Sequence, residues 1–306
     1  MMSRSALLSG LCLFALTACQ AGPESGPAGT DAWFTDVDLA AYLDCAREQG
    51  VTLLQAHRAG DRPGAAENSL GAIEASLADG AVFLEIDVAQ TSDGVLVLMH
   101  DRTVDRTTDG SGTVTQLPYT EFSQLRLRDV NGEVLDEAPP TLSAVLDALE
   151  GRGVAQIDRK GDVSFDQIAE ALEAAGAVDR AVVITYSLED AIALHRRLPG
   201  VVVSAGLADL DALAVLDEAG VDRSRLSAWL GLGTGDPALD TELAALGIET
   251  SYGDFRGERE RTADYQLMAA NGAEVISVDD VPAAAAALAA ADTSRALLET
   301  CEAARP

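Results

Sequence analysis

Short apolar runs alternate with amphipathic, Ala- and Leu-rich stretches from residue 51 to about residue 292, and this alternation limits the folds open to the chain. Runs of strand character lie at 51–56, 82–88, 95–99, 154–158, 181–185, 201–204, 226–230, 248–251 and 275–278. Helical stretches follow or separate them at 69–78, 141–149, 164–175, 188–198, 208–219, 236–246, 262–271 and 282–291. Because consecutive parallel strands need a crossover helix, this pattern predicts a parallel sheet.

The number of repeats separates two parallel architectures. Close to eight βα units over about 240 residues fit a TIM (β/α)8 barrel at 51–292, and a doubly wound open sheet is the competing fold. The first strand is not followed by a GxGxxG motif, which counts against the dinucleotide-binding form of the open sheet. Residues 102–139 are polar and rich in Thr, Gly and Asp, so we predict a barrel with a small insertion after the second strand region.

Composition excludes several classes of protein. The chain has 50 acidic and 21 basic residues, a formal net charge of −29, which makes a nucleic-acid binder improbable because such a surface repels phosphate backbones. At 48% hydrophobic residues the chain can bury a core, which excludes intrinsic disorder. Lys160 is the only lysine, and histidine occurs at three positions, 57, 100 and 195. His195 lies in a helical stretch that we expect to face solvent, so we assign it no chemical role.

The first nineteen residues have the pattern of an export signal. A short apolar run, too brief to span a bilayer, ends at Leu16-Thr17-Ala18-Cys19, which resembles the lipobox of bacterial lipoproteins. The resemblance implies that Cys19 carries lipid and that the protein is an exported, membrane-anchored lipoprotein, in the outer membrane if the host is Gram-negative. An ordinary secretory signal cut after Ala18 is the alternative. Residues 20–50 are predicted to be a tether and N-terminal flank, and 293–306 a C-terminal flank.

Two cysteines flank the predicted barrel. Cys12 falls in the signal and Cys19 is the lipidation candidate, which leaves Cys45 and Cys301. In an oxidising compartment this pair is expected to form a disulfide that joins the two ends of the fold, and two free thiols are the alternative. The sequence has no CxxC motif or Cys/His cluster, so a zinc site is improbable.

Ionisable residues cluster where the predicted strands end, which is where TIM barrels place their active sites. Glu85 and Asp87 are two apart on one strand, so their side chains point to the same face, and apolar neighbours argue against a solvated edge. Asp158 completes a set of three carboxylates suited to Ca²⁺ or Mg²⁺. Basic groups for a phosphate come from Arg58 and Lys160, and an acid and a base from His57 and His100. These residues predict metal-assisted phosphoester hydrolysis.

Ordered motifs connect these residues to a known family. They are His57-Arg58-Ala59-Gly60, Ala66-Glu67-Asn68-Ser69, Glu85-Ile86-Asp87-Val88, Thr91-Ser92-Asp93-Gly94, His100-Asp101, Arg106-Thr107-Thr108-Asp109-Gly110-Ser111-Gly112 and Pro140-Thr141-Leu142. The order and spacing resemble the glycerophosphodiester phosphodiesterase family, and the similarity runs from about residue 51 to 290. Later segments that end at Ser187 and Asp280 are similar to the family's fourth and final strand ends.

The resemblance implies a role for each matching residue. His57 and His100 correspond to the catalytic histidines, Arg58 to the arginine that contacts the phosphate, and Lys160 to the lysine that partners the metal ligand at position 158. A divalent Ca²⁺ or Mg²⁺ ion is implied as cofactor, with metal ligands Glu85, Asp87 and Asp158, and with Glu67 near the metal as a further candidate. Asp158 departs from the family pattern, which usually has a Glu there that is longer by one methylene.

The implied activity is metal-dependent hydrolysis of a small-molecule glycerophosphodiester to sn-glycerol 3-phosphate and an alcohol. Two alternatives stay open. One is a related phosphodiesterase acting on larger lipids, similar to a lysophospholipase D. The other is a catalytically degenerate, lipid-anchored binding protein, which the shorter Asp158 keeps under consideration. We expect no nucleic-acid partner, and membrane contact only through the N-terminal anchor.

Overall fold

Eight parallel strands close into a TIM barrel in the computed structural model, which describes residues 33–301. The strands are β1 (Leu53–Ala56), β2 (Phe83–Gln90), β3 (Leu96–Leu98), β4 (Val154–Arg159), β5 (Ala181–Thr185), β6 (Val202–Gly206), β7 (Leu226–Leu232), β8 (Glu249–Gly253) and β9 (Val275–Val278). Hydrogen bonds link them in the order β1-β9-β8-β7-β6-β5-β4-β2, and pairing of β1 with β2 closes the ring. The short strand β3 lies outside the barrel, antiparallel to β2.

Helices surround the barrel and cover its apolar outer face. They are α1 (Leu39–Gln49), α2 (Leu70–Asp79), α3 (Tyr119–Phe122), α4 (Leu142–Ala148), α5 (Phe165–Ala174), α6 (Leu188–Arg197), α7 (Leu210–Glu218), α8 (Pro237–Ala244), α9 (Phe255–Glu260), α10 (Tyr265–Ala270), α11 (Val281–Leu288) and α12 (Ala290–Thr300). Most of them begin at a Ser, Thr or Asp whose side chain accepts from a first-turn N–H, as at Ser69, Thr141 and Ser187. None of the helices between residues 33 and 301 has the length and apolar character needed to cross a bilayer.

The base of the barrel, where the parallel strands begin, is closed by the two flanks. Tyr42 and Leu43 of α1 and Leu297 of α12 form one apolar cluster with residues at the start of the strands, such as Leu53 and Val275. The predicted disulfide is present between Cys45 and Cys301, whose Cα atoms are 6.0 Å apart. It therefore joins the end of the last helix to the first helix across 256 residues of chain.

A close approach behind α2 fixes the position of α12. Gly80 ends α2 with a φ of +98°, and a Cβ there would lie 2.2 Å from the backbone nitrogen of Ala291. Only glycine satisfies both conditions, because other residues rarely adopt this φ and no side chain fits the gap.

Residues 102–139 leave the βα repeat as predicted. They contain a 3₁₀ turn at Val114–Gln116, the short helix α3 and several isolated bridges. A separate small core around Val104, Val114 and Phe122 packs this insertion against Met99, just after β3. The insertion therefore has an ordered position beside the end of β2.

Candidate active site

The mouth of the barrel, where the parallel strands end, brings together the residues at the ends of β1, β2 and β4. His57 and Arg58 follow β1 in a 3₁₀ turn in which Arg58 and Ala59 have left-handed φ values of +51° and +65°. Non-glycine residues adopt such φ values only when surrounding contacts hold them. One such contact is the N–H of Asn68, which donates to the carbonyl oxygen of Arg58 at 2.8 Å.

Three buried carboxylates form the centre of the mouth. Asp87 on β2 lies directly opposite Asp158 on β4 in the sheet register, and Glu85 precedes Asp87 by two residues. We call these three side chains the carboxylate triad. All are buried: Glu85 is 3% exposed, Asp87 1% and Asp158 5%. One ligand oxygen from each lies within 4.8 Å of the others. Asp158 therefore joins the triad despite its shorter side chain.

Donors around the triad hold its orientation. The backbone N–H of Arg58 donates to Glu85 Oε2 at 2.7 Å, and Asn68 Nδ2 donates to Asp87 Oδ2 at 2.6 Å. Lys160 Nζ lies 2.8 Å from Asp87 Oδ1 and 2.6 Å from Asp158 Oδ2. The triad in turn acts on this lysine, because burial disfavours its charge but the two aspartates outweigh burial and raise its pKa above the ordinary range.

The triad fits a divalent cation. Burial, together with the neighbouring Asp87, raises the pKa of Glu85 well above its usual range, so the site lacks sufficient positive charge for three carboxylates. Asp158 Oδ1 is buried and has no hydrogen-bond partner among the described residues. Hard oxygen donors at this spacing suit Ca²⁺ or Mg²⁺.

His57 is held from two sides. Its Nδ1 lies 2.7 Å from Asp279 Oδ1, just after β9, and the ring of Phe255 stacks on the imidazole with centroids 4.4 Å apart. Because a carboxylate only accepts, Nδ1 carries the proton, and Nε2, 3.9 Å from Glu85 Oε2, is free to accept one. Burial opposes the charged ring, but Asp279 and Glu85 outweigh it and raise the pKa of His57.

His100 is held in the same tautomer by its neighbour in the chain. Its Nδ1 lies 2.7 Å from Asp101 Oδ1, and its Nε2 lies 3.0 Å from Arg58 Nη2, which can only donate. Arg106 donates to the other oxygen of Asp101 at 2.7 Å and lowers the pKa of that carboxyl to about 2. Both histidines therefore have an aspartate on Nδ1.

The structure does not bring Glu67 into the carboxylate triad. Its two oxygens accept from Arg106 at 2.7 and 2.8 Å, and Arg58 Nη1 lies 3.4 Å from each. Two guanidinium groups thus satisfy Glu67, which supports Arg58 instead of facing the three ligand candidates.

A cavity of about 460 Å³ opens from the mouth beside His57. We call it the aromatic cavity, because Tyr186, Trp229 and Phe255 line it together with Leu232. Polar side chains of the barrel interior line its deeper part, namely Gln55, Gln156, Ser204 and Ser277. Such a combination suits a polyol, whose hydroxyls need polar partners and whose C–H groups pack on rings.

Several residues at the site were not assigned from the sequence. Asp279 and Phe255 contact His57. Arg106 links Glu67 to Asp101. The Tyr186 hydroxyl donates to Asp158 Oδ2 at 2.6 Å. Asp279 follows a predicted strand end, which was the available signal for it. His195 lies in α6, outside this group of residues.

Comparisons with known proteins identify a family for the chain. Residues 57–191 match the model of the glycerophosphoryl diester phosphodiesterase family. A glycerophosphodiester phosphodiesterase of Caldanaerobacter subterraneus is 31% identical over 180 residues, 55% of this chain and 73% of that protein. Glycerophosphodiester phosphodiesterase 1 of Mus musculus is 45% identical over 121 residues, 37% of this chain and 35% of the mouse protein. The chain thus spans about a third of the length of the mouse relative.

Solved structures share the fold. A glycerophosphoryl diester phosphodiesterase from Parabacteroides distasonis has a TM-score of 0.77 at 22% identity, over 84% of this chain and 93% of that chain. A phosphodiesterase from Oleispira antarctica, solved in complex with the product sn-glycerol-3-phosphate, has a TM-score of 0.59 at 18% identity, over 79% of this chain and 99% of that chain.

Proposed function

Because the chain belongs to the glycerophosphoryl diester phosphodiesterase family, we propose that it hydrolyses glycerophosphodiesters to sn-glycerol 3-phosphate and an alcohol, with a divalent cation. One observation carries the proposal. Two histidines, each with an aspartate on Nδ1, lie beside Arg58 and the carboxylate triad at one end of the barrel. This arrangement supplies the groups that phosphodiester hydrolysis requires.

Arg58 binds the phosphate in this proposal. Its Nη2 contacts His100, its Nη1 is only weakly held at 3.4 Å by Glu67, and its buried Nε, 3.9 Å from Asp87 Oδ2, has no hydrogen-bond partner among the described residues. A phosphate oxygen accepts from these donors more strongly than a neutral group does. A divalent cation held by Glu85, Asp87 and Asp158 would neutralise further negative charge on the phosphate.

The two histidines transfer the protons. One accepts a proton at Nε2 from the attacking water, or from a glycerol hydroxyl whose cyclic phosphate product water then opens, as the new P–O bond forms. The other donates a proton from Nε2 to the departing alcohol oxygen as the old P–O bond breaks. Asp279 stabilises the imidazolium form of His57, Asp101 holds Nδ1 of His100, and the aromatic cavity receives the glycerol moiety.

Glycerophosphocholine is the substrate for the test, with sn-glycerol 3-phosphate as the measured product. We expect turnover that EDTA abolishes and that added Ca²⁺ or Mg²⁺ restores. His57→Ala and His100→Ala should each lower kcat by about 10²- to 10⁴-fold, the usual contribution of general acid–base catalysis. His195→Ala is the matched control and should retain kcat, since His195 lies in α6 away from the site. Near-normal turnover in either site variant, or turnover that EDTA leaves unchanged, would contradict the proposal.

We also propose that the protein is exported and anchored to a membrane by lipid on Cys19, which lies outside the described residues 33–301. The disulfide between Cys45 and Cys301 supports an oxidising compartment. Labelling of a bacterial host with an alkyne fatty acid should mark the full chain and its Cys12→Ala variant, but not Cys19→Ala. Absence of label from the wild-type chain would contradict the anchor and favour an ordinary secretory signal.

A further inference from the structure

A second cavity, of about 450 Å³, reaches the mouth from the side of His100. We call it the insertion cavity, because the insertion supplies Arg102 and residues 113–115 to its lining. The end of β2 and residues 160–163 after β4 complete the wall. Asp101 also lines this cavity beside His100.

The two cavities share no lining residue, but a residue of each lining is in contact with the other beside the carboxylate triad. Asp158 lines the aromatic cavity and Lys160 lines the insertion cavity, and the two side chains form an ion pair at 2.6 Å. His57 lines the first cavity and His100 the second. A phosphodiester carries two alcohol groups on one phosphorus, so this arrangement provides one cavity for each.

The residues that line each cavity indicate which of the two alcohol groups of the diester binds there. Gln55, Gln156 and Ser277 in the aromatic cavity are buried on barrel strands, so they present fixed partners to a constant glycerol moiety. The insertion cavity is lined by exposed side chains on loops, such as Arg102, Thr115 and Asp162. An open, loop-built wall suits the variable alcohol. This assignment rests on the proposed hydrolysis of glycerophosphodiesters.

We propose that the insertion cavity binds the leaving alcohol, that it favours a small alcohol bearing an ammonium group, and that Asp162 recognises the ammonium. Among the other charged groups of the lining, Lys160 pairs with Asp87 and Asp158, and Asp101 binds His100 and Arg106, whereas Arg102 is exposed. Within residues 33–301, the Asp162 side chain makes no hydrogen bond or ion pair. It is therefore the carboxylate of this cavity that can accept a ligand cation.

The charge of the whole chain favours the same class of alcohol. A diester with an ammonium-bearing alcohol has no net charge, whereas one with an uncharged alcohol carries the phosphate's negative charge. A chain with a formal charge of −29 repels the second kind more than the first. Arg102 opposes the ammonium within the cavity, so removing its charge should strengthen the preference.

The experiment compares glycerophosphoethanolamine with glycerophosphoglycerol, whose leaving alcohols are both small and differ in charge. The measured quantity is the ratio of their kcat/KM values for the full chain with added Ca²⁺ or Mg²⁺. Asp162→Asn should lower the ratio by about 2- to 5-fold, mainly through KM for the ethanolamine ester, the size expected of an exposed ion pair. Arg102→Gln should raise it. The matched control, Asp136→Asn, removes an equal charge from the insertion outside the cavity lining and should leave the ratio unchanged.

The outcomes separate the two proposals. If the wild-type chain hydrolyses neither diester, the proposed function fails and the assignment of the cavity fails with it. If it hydrolyses both, but Asp162→Asn leaves the ratio unchanged or shifts it no more than Asp136→Asn does, the ammonium site alone is overturned. Opposite shifts for Asp162→Asn and Arg102→Gln support it, because general destabilisation would act on both substrates alike.

Discussion

The mouth and the base of the barrel both bury carboxylates, but the two ends differ in the hydrogen-bond donors that surround these groups. At the mouth, burial and the neighbouring Asp87 raise the pKa of Glu85. At the base, burial raises the pKa of Glu274 to about 8 and that of Glu249 to about 7. A raised pKa therefore does not by itself distinguish a catalytic end of the molecule from a structural one.

The arrangement of the hydrogen-bond donors distinguishes the mouth from the base. At the base each carboxylate has its own partner: Arg47 Nε donates to Glu249 at 2.9 Å, and the N–H of Thr250 donates to Glu274 at 2.7 Å. At the mouth the carboxylates also accept hydrogen bonds, but one lysine serves two aspartates, and Asp158 Oδ1 has no hydrogen-bond partner in the described part of the chain. Within residues 33–301, the mouth triad is the group whose ligand atoms lie within 4.8 Å of one another. Locally satisfied carboxylates stabilise structure, whereas converging ones leave a place for a cation.

The largest effect that tests this contrast should come from Glu85→Gln. The substitution removes one ligand charge from the triad, so we expect kcat/KM to fall by about 10³-fold or more, consistent with several kcal/mol of lost charge stabilisation in the transition state. The free energy of unfolding should stay the same or rise, because a buried charge beside Asp87 is lost. Steady-state kinetics and urea denaturation measure the two quantities. Activity within tenfold of wild type would place the cation elsewhere.

A smaller loss of activity is expected from Asp279→Asn. The imidazolium form of His57 loses its carboxylate partner, so kcat should fall by about 10- to 100-fold while KM changes little. Asp280→Asn is the matched control, because Asp280 caps α11 through Ala283 and asparagine caps helices equally well. Equal kinetics for the two variants would mean that Asp279 does not position His57.

The smallest effect, on stability alone, is expected from Glu274→Gln at the base. The folded state holds a proton on Glu274 up to about pH 8, whereas the unfolded chain loses it near pH 4.5, so the wild-type chain loses stability as pH rises through this window. Glutamine keeps an acceptor for the Thr250 N–H but cannot ionise. In urea denaturation, the free energy of unfolding of the variant should equal that of the wild type at pH 4.5 and exceed it by roughly 1–3 kcal/mol above pH 8. Unchanged kcat/KM would complete the contrast with Glu85→Gln.

The regular part of the fold was predictable because its signals are local. Strand periodicity located β5 (Ala181–Thr185) and β9 (Val275–Val278) at the residues observed, and the side-chain alternation of β2 put Glu85 and Asp87 on one face. The helices α1 and α9 were not predicted. Both begin at a capping aspartate, Asp38 for α1 and Asp254 for α9, and α1 ends at Gly50, so these local signals were available. Helix α1 is in addition held by packing on the base of the barrel.

Contacts between distant residues were the least accessible to prediction. Asp279 and His57 are 222 residues apart in sequence, and their hydrogen bond exists only because β9 pairs with β1. Glu67 is a second case: its motif made it a candidate metal ligand, and in the structure its two oxygens accept from Arg106 of the insertion. In both cases the partner is decided by tertiary structure that single-residue chemistry does not specify.

The disulfide at the base has a practical consequence for attachment. Trp33, the first described residue, packs on the apolar cluster at the base, and Cys301, the last described residue, is buried in the same cluster. The described chain therefore enters and leaves at the end opposite the mouth. A solid support or fusion partner joined by a flexible linker directly before Trp33 or after Cys301 should leave the mouth open to small molecules diffusing from solution.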